Sequence, residues 1–257
     1  MEPLAGKSVL VTRGKPQASA FSEQIEKAGG VAVETPLLTF QLNDTKENYH
    51  ILTKLHDYSW VFLTSSNGVK FFFELLRRKG ITVPETLHFA IIGQKTERML
   101  KAFGYAADFM PTTYDAKTMG KEFFSRSNHV GPILYVRGNR SRDVLPHIFE
   151  EKRVFFQSIT VYDTLLLKEG KNKLLDMLKR EELDALTFTS PSTIQAYQSL
   201  VKAAEFNGKH LPCFCIGPTT AEKAERSGFI NVFVPKQYTI DHMVEQIIQY
   251  FSEEGKR

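Results

Sequence analysis

Small polar residues and glycines recur at six points where the sequence predicts that a β-strand ends and a helix begins: residues 12–14, 64–67, 93–96, 137–140, 189–192 and 217–220. Such turns present free backbone N–H groups at the positive end of a helix dipole, which attracts anions. Serine, threonine and asparagine are also favoured there as helix caps, and capping alone explains any one of these turns. Six turns together indicate a ligand with many carboxylates or phosphates.

Cationic side chains near these turns would strengthen the binding of an anion. Arg13 and Arg137 directly follow predicted strands at equivalent positions of an internal repeat, so we favour them over Lys15, Arg140 and Arg142, which fit solvated surface charge. Lys95 is a further cation at a turn. A charged hydrogen bond contributes about 1.5–3 kcal/mol. The residues selected as substrate-binding are Arg13, Ser65, Ser66, Asn67, Gly93, Thr96, Arg137, Gly138, Ser190, Pro191, Ser192, Gly217, Thr219 and Thr220.

Tyr162 is the best-placed proton donor and our candidate catalytic residue. It lies in residues 158–167, a run rich in β-branched and aromatic residues that favours an extended strand. The run joins the two halves of the repeat, and the counterpart of Tyr162 in the other half is Leu38. That break in symmetry is consistent with a specialised role. The alternative is a packed strand tyrosine whose hydroxyl lies at the rim of the core.

Several kinds of chemistry have no motif in this sequence. There is no Walker A loop, no Gly-x-Gly-x-x-Gly after the first strand and no Gly-x-Ser-x-Gly. The histidines lack metal spacing, no carboxylate pair stands out, and Cys213 and Cys215 fit small core residues. We therefore expect neither a metal nor a cofactor.

The composition is that of an ordinary globular protein, with 257 residues, 42% hydrophobic and 24% charged. A net charge of +4 permits an anionic ligand but is too small to indicate a nucleic acid. The sequence contains neither an apolar run long enough to span a membrane nor a signal-peptide pattern. We expect a cytoplasmic protein without a membrane or nucleic-acid partner.

The two halves of the sequence repeat one another. A shift of 124 positions carries residues 92–96 onto 216–220, and it also carries 11–14 onto 135–138 and Tyr114 onto Tyr238. Predicted strands alternate with helices, which is typical of doubly wound α/β domains. The predicted fold class is therefore α/β, with two flavodoxin-like, doubly wound parallel-sheet domains that arose by internal duplication.

The predicted domains are interleaved along the chain. Residues 1–36 and 166–257 form a discontinuous first domain, because the C-terminal half supplies only three strands and needs the two near the N-terminus. Residues 41–157 form the inserted second domain. Residues 37–40 and 158–165 are the crossings, predicted to pair as a two-stranded antiparallel linker.

At these residues the sequence resembles the uroporphyrinogen-III synthase family. The stretches that carry the resemblance span nearly the whole chain: 9–13, 62–68, 92–96, 135–139, 159–164, 188–192 and 216–221. The resemblance implies two α/β domains with an active site in the cleft between them. It implies a cofactor-free, cyclising hydro-lyase that acts on hydroxymethylbilane.

The resemblance also implies roles for individual residues. The key tyrosine of the family corresponds to Tyr162, which would help the substrate hydroxyl to leave. Family cleft hydroxyls correspond to Ser65, Thr96, Ser190 and Thr220, which would hold acetate and propionate groups. Two positions depart from the family pattern: Asn67 stands where some members have arginine, and Pro212 where some have lysine.

For partners, the resemblance implies hydroxymethylbilane as substrate in tetrapyrrole biosynthesis. We also expect its handover from hydroxymethylbilane synthase and a monomeric protein. Two alternatives stay open at this point. One is a two-domain protein that closes on an anionic solute without chemistry, although the sequence lacks an export signal. The other is a two-lobed transferase for phosphorylated sugars, which should carry nucleotide-recognition residues that we do not find.

Overall fold

The structure, a computed structural model, describes residues 2–14, 17–126 and 130–254. The chain forms two compact units: unit 1 comprises Met1–Thr39 and Leu165–Arg257, and unit 2 comprises Phe40–Thr164. Among the described residues, none of the helices has the length and apolar character that a membrane span requires. Lys15, one of the cations noted above, lies outside the described residues.

Strands and helices alternate along most of the chain. The strands are β1 (Ser8–Val11), β2 (Val31–Glu34), β3 (Leu38–Leu42), β4 (Trp60–Leu63), β5 (His88–Ile91), β6 (Ile133–Gly138), β7 (Phe156–Leu166), β8 (Ala185–Phe188), β9 (Cys213–Cys215) and β10 (Val232–Phe233). The helices are α1 (Gln17–Lys27), α2 (Lys46–Leu52), α3 (Ser66–Lys79), α4 (Gln94–Ala102), α5 (Ala116–Arg126), α6 (Val144–Glu151), α7 (Lys171–Lys179), α8 (Pro191–Val201), α9 (Pro218–Arg226) and α10 (Ile240–Glu254). A short 3-10 helix spans Leu55–Asp57.

Helix α3 illustrates how local sequence sets an element. Ser65 caps its start and accepts a hydrogen bond from the Gly68 N–H at 3.0 Å. Three basic residues fill its last turn, where they complement the helix dipole, and Gly80 ends it in the left-handed conformation with φ of 64°. Phe72 and Leu76 on its inner side are buried in the core of unit 2. The helix therefore has a fixed start at the carboxyl end of β4.

The sheet of unit 1 has the order β10-β9-β8-β1-β2, and its paired strands run parallel. All four residues of β8 are buried, as expected for a strand covered by helices on both faces. Two buried hydroxyls tie its central strands together: Thr12 donates to the Thr187 carbonyl and Thr187 donates to the Leu10 carbonyl, each at 2.7 Å. The carboxyl ends of these parallel strands therefore lie on the same side of the sheet.

The sheet of unit 2 has the order β3-β7-β6-β4-β5, in which β7, β6, β4 and β5 are parallel. Strand β3 runs antiparallel to β7, because Asn43 N–H donates to Val161 while Leu167 N–H donates to Leu37, so the paired positions move in opposite directions. Beyond β5, Phe109 makes an isolated parallel bridge to Ala90. The crossing predicted over residues 158–165 is part of one long strand, β7, which begins before it at Phe156.

The duplication is visible in the order of the strands. The shift of the sequence repeat takes β1, β2, β8, β9 and β10 onto β6, β7, β4, β5 and the Phe109 bridge, and these matched strands have the same order in both sheets. Strand β3 is an additional strand of the unit 2 sheet. The predicted fold class is confirmed in these two sheets. The chain passes between units at 39/40 and 164/165, inside the segments predicted as linkers. The finer domain limits stay predictions.

Candidate functional site

Tyr162 lies at a β-bulge near the carboxyl end of the unit 2 sheet. Arg137 of β6 pairs with Thr160 of β7, but the next residue, Gly138, pairs with Tyr162, so Val161 is an extra residue in β7. Bulges re-aim the side chains that follow them. The extra residue turns the tyrosine toward the end of β6, where the neighbouring strand-end turns also lie.

The ring of Tyr162 is held on three sides. It stacks on Phe71 of α3 with centroids 5.3 Å apart and meets Phe40 edge-on at 5.7 Å. Its third neighbour is Gly138, where an added Cβ would lie 2.4 Å from the Tyr162 Cζ and 2.7 Å from its Oη. A side chain at this position would therefore have to displace the ring or the backbone beneath it. The side chain is 9% exposed, and its hydroxyl lies 3.4 Å from the Ser65 Oγ, long for a hydrogen bond.

Asn139 fixes the backbone around the tyrosine. Its N–H donates to the Tyr162 carbonyl at 3.1 Å, and its side-chain Oδ1 accepts from the Thr164 N–H at 2.9 Å. These two bonds satisfy groups that the bulge would otherwise leave unpaired. Neither Asn139 nor Phe71 was selected from the sequence. The sequence signal that could have identified Asn139 is its position directly after the Arg-Gly pair that ends β6.

Arg137 is engaged by its own loop. Its Nη1 donates to the Asp143 Oδ1 at 2.6 Å, its Nη2 donates to the Ser141 carbonyl, and its guanidinium lies over the Tyr135 ring. The hydrogen bond from Arg137 lowers the pKa of Asp143, while burial raises the pKa of Tyr135. These contacts order the 138–143 loop beside Tyr162, and the role of Arg137 in binding substrate stays a prediction.

The turns after β4 and β8 are equivalent helix caps. Ser65 begins α3 as described above, and Ser190 begins α8 by accepting from the Thr193 N–H at 3.2 Å. The Ser190 hydroxyl also lies 2.9 Å from that of Ser192. The remaining predicted residues of these turns are half-buried in the first turns of the two helices: Ser66, Asn67 and Pro191. Each turn therefore presents hydroxyls beside a helix start.

The turns after β5 and β9 are equivalent as well. Gly93 and Gly217 occupy the N-cap positions of α4 and α9. Because glycine has no side chain, neither residue makes a side-chain capping hydrogen bond to the first turn of its helix. Thr96 and Thr220, three residues later, are buried, so burial favours a packing role for their hydroxyls over direct contact with a ligand. Thr219 is exposed. Thr219 is therefore the accessible hydroxyl among the three selected threonines, and the binding roles of all three stay predictions.

Cationic side chains lie near strand-end turns in both units. Arg13 is half-buried after β1, and burial lowers the pKa of its guanidinium. In unit 2, a cavity of about 280 Å³ is lined by Ser66, Lys95, Arg98, Met99 and Ala102, between α3 and α4. Two of its five lining residues are cations, which suits an anionic group. Arg140 and Arg142 are exposed.

Metal and thiol chemistry have no visible centre in the described ranges. Within residues 2–14, 17–126 and 130–254, no group of three or more His, Cys, Asp and Glu side chains could hold a metal ion. Cys213 and Cys215 are free and buried, with their sulfur atoms 3.9 Å apart in β9. They contribute to the hydrophobic core of unit 1.

Comparison with known proteins gives one consistent result. A family model described as uroporphyrinogen-III synthase HemD matches residues 19–245. The porphyrin biosynthesis protein HemD of Ruminiclostridium josui is 28% identical over 251 residues, which are 96% of this chain and 49% of that protein. This chain thus spans about half the length of that relative. Uroporphyrinogen-III synthase of Chlorobaculum parvum is 29% identical over 240 residues, 90% of this chain and 94% of that protein.

The fold has a counterpart among solved structures. A crystal structure of a mutant uroporphyrinogen III synthase from the extremely thermophilic bacterium Thermus thermophilus aligns with a TM-score of 0.69 and 18% identity, covering 96% of this chain and 99% of that one. At this identity the likeness bears on the fold alone, and it agrees with the fold class described above.

Proposed function

We propose, because this chain belongs to the uroporphyrinogen-III synthase HemD family, that it cyclises hydroxymethylbilane to uroporphyrinogen III. The terminal hydroxyl leaves as water and gives an azafulvene. That carbon attacks the substituted position of ring D to form a spiro intermediate, and fragmentation and reclosure invert this ring. The observation that carries the proposal is the family match over residues 19–245.

Tyr162 is the group proposed to assist departure of the hydroxyl. Its phenol can donate a proton to the leaving oxygen, and the packing of Phe40, Phe71 and Gly138 around it supports this role by fixing the ring. A largely buried position lowers the local water content and strengthens a hydrogen bond to the leaving group. We therefore assign proton donation to Tyr162 and orientation of its ring to the three neighbours.

The strand-end turns are proposed to hold the substrate carboxylates. Hydroxymethylbilane carries an acetate and a propionate on each of four pyrroles, and helix starts with free N–H groups suit such anions. The caps at Ser65, Ser190, Gly93 and Gly217 support this assignment. The substrate closes spontaneously without inverting ring D, so the main task of the protein is to hold one folded conformation and exclude water.

The remaining partner assignments are proposals of the same kind. The chain acts as a monomer in the cytoplasm, without a cofactor. It takes hydroxymethylbilane from hydroxymethylbilane synthase, because an unstable linear tetrapyrrole is best used soon after release. Size-exclusion chromatography with light scattering measures the oligomeric state. A dimer at the concentrations used in the enzyme assay would refute the proposed monomer.

The product isomers test the proposed reaction. Freshly made hydroxymethylbilane is incubated with the protein, the products are oxidised to uroporphyrins, and isomers III and I are separated by chromatography. The proposal requires isomer III in an amount that rises with protein concentration, above a background of isomer I. A solute-binding protein without chemistry, or a sugar-phosphate transferase, would leave only isomer I at the rate of the protein-free control.

A further inference from the structure

A tight turn centred on an exposed tyrosine lies beside the predicted site in unit 2. The Asp115 N–H donates to the Thr113 carbonyl at 2.8 Å, which closes a three-residue turn with Tyr114 in the middle. The tyrosine ring lies over Gly93 at the start of α4, since an added Cβ there would be 3.7 Å from the Tyr114 Cγ and Cδ2. The backbone turn therefore sets where the ring lies.

The same arrangement occurs in unit 1. The Thr239 N–H donates to the Gln237 carbonyl at 2.9 Å and closes an equivalent turn around Tyr238. The Tyr238 ring lies over Gly217 at the start of α9, where an added Cβ would be 3.5 Å from its Cγ. The duplication has thus kept the turn, the ring and the glycine under it.

These two rings do little for either core. Tyr114 is 53% exposed and Tyr238 is 61% exposed, so more than half of the accessible surface of each residue remains open to solvent. Single exposed aromatics are common on protein surfaces. Two of them in one backbone geometry, each over a glycine selected for binding, are better explained by a shared contact. Tyrosine suits such a contact because it offers a rigid flat surface with little side-chain entropy to lose.

We propose that Tyr114 and Tyr238 are substrate-binding residues that each stack on one pyrrole ring of the tetrapyrrole. This inference rests on the proposed function, which supplies the substrate. A pyrrole is a flat aromatic ring with an N–H edge, and aromatic rings stack or meet edge to face. The two tyrosines then select an aromatic backbone, whereas the turns select its carboxylates. An aliphatic polyanion would satisfy the turns but not the tyrosines.

Steady-state kinetics on freshly made hydroxymethylbilane test this inference. The variants are Tyr114→Ala, Tyr238→Ala, the double variant and the two corresponding Phe variants, which keep the ring. Phe155→Ala is the matched control. This aromatic residue is 65% exposed, but it precedes β7 and therefore lies at the amino ends of the parallel strands, opposite the strand-end turns. The thermal midpoint of each variant is recorded to verify folding.

Each Ala variant should raise KM by about three- to tenfold, the range expected for one aromatic contact. The double variant should raise KM by about ten- to a hundredfold, because separated contacts add in free energy. The value of kcat should stay within about twofold, as for lost uniform binding. The Phe variants and Phe155→Ala should keep the KM of the unsubstituted protein.

A double variant with unchanged KM would overturn the inference, and so would an equal rise in KM for Phe155→Ala. Calorimetric titration with uroporphyrinogen III under reducing conditions distinguishes failure of the stacking inference from failure of the proposed function. If the unsubstituted protein makes no isomer III, the proposed reaction fails. The titration then decides the stacking contact alone: a weaker Kd in the double variant supports it, and an equal Kd or no binding to either protein refutes it.

Discussion

Replacing Gly138 by alanine should displace the Tyr162 ring. The new methyl group would lie 2.4 Å from Cζ, 2.6 Å from Cε2 and 2.7 Å from Oη, all far inside van der Waals contact. The ring cannot yield easily, because Phe71 stacks on it and Phe40 packs at its edge. Either the ring or the backbone of the bulge has to move, and the hydroxyl then leaves its place beside Ser65.

Overpacking of this kind costs about 1–3 kcal/mol of unfolding free energy. For a chain of this size, that corresponds to a fall in Tm of about 2–12 °C. Activity should fall with it, because a hydroxyl displaced by about 1 Å no longer meets the leaving oxygen well. The assay is thermal unfolding followed by circular dichroism, together with the rate of isomer III formation.

The repeat supplies a matched control. Gly14 occupies the equivalent position in unit 1, where, among the described residues, an added Cβ would meet only the Leu38 carbonyl oxygen at 3.7 Å, an ordinary contact. Gly14→Ala should therefore leave Tm within about 1 °C of the unsubstituted protein, since strain-free surface changes cost little. This comparison separates the effect of the ring from that of a methyl group in the turn.

A double-mutant cycle tests whether the Tyr162 ring is the source of the clash. When Tyr162→Ala removes the ring, the added methyl group of Gly138→Ala has free space and should cost less than about 0.5 kcal/mol. Equal losses of stability from Gly138→Ala in both backgrounds would show that the clash lies elsewhere. An unchanged Tm for Gly138→Ala alone would refute the tight contact itself.

Three further predictions concern the surrounding groups. Ser65→Ala and Ser190→Ala should each lower the unfolding free energy by about 1 kcal/mol in urea titrations, because they remove equivalent helix caps; unequal losses would argue against the equivalence. Asn139→Ala should lower it by about 1 kcal/mol through loss of its side-chain hydrogen bond, and should slow isomer III formation because the bulge relaxes. Asp143→Asn removes the ion pair with Arg137. The hydrogen bond from Arg137 lowers the pKa of Asp143, so the contribution of this contact to stability is present above the usual aspartate pKa of about 3.9 and is lost as the pH falls through the lowered pKa. The Tm of Asp143→Asn should therefore be lower at pH 7 and should converge with the unsubstituted value only as the pH falls below that lowered pKa. A difference in Tm that persists in acid would contradict this assignment.

Patterns with a local cause were predictable from sequence. The strand-end turns, the caps at Ser65 and Ser190 and the doubly wound fold follow from hydrophobic periodicity and capping preferences, which act within a few residues. The repeat then indicated two similar sheets, because one shift aligned the motifs of both halves. Helices α2 and α5 were not predicted, although Thr45 and Asp115 bind the N–H groups that begin them.

Features that depend on tertiary pairing were not predictable. The bulge that turns Tyr162 onto Gly138 arises from the register of β6 against β7, and neither strand shows it alone. The engagement of Arg137 by Asp143 depends on how the 138–143 loop folds back. Burial of Thr96 likewise follows from how α4 packs on its sheet, which its position in the turn did not reveal. The sequence therefore predicts a candidate region, and the contacts within it depend on how distant strands and loops pair.

The central claim is that the Tyr162 hydroxyl assists the cyclisation, and the rate of isomer III formation by Tyr162→Phe tests it most directly. Phenylalanine keeps the ring packed on Phe71 and Gly138, so Tm should not change. We predict that the rate falls by about a hundredfold, as for loss of a general acid, but not to zero, because substrate positioning and water exclusion remain. A rate equal to that of the unsubstituted protein would contradict the claim.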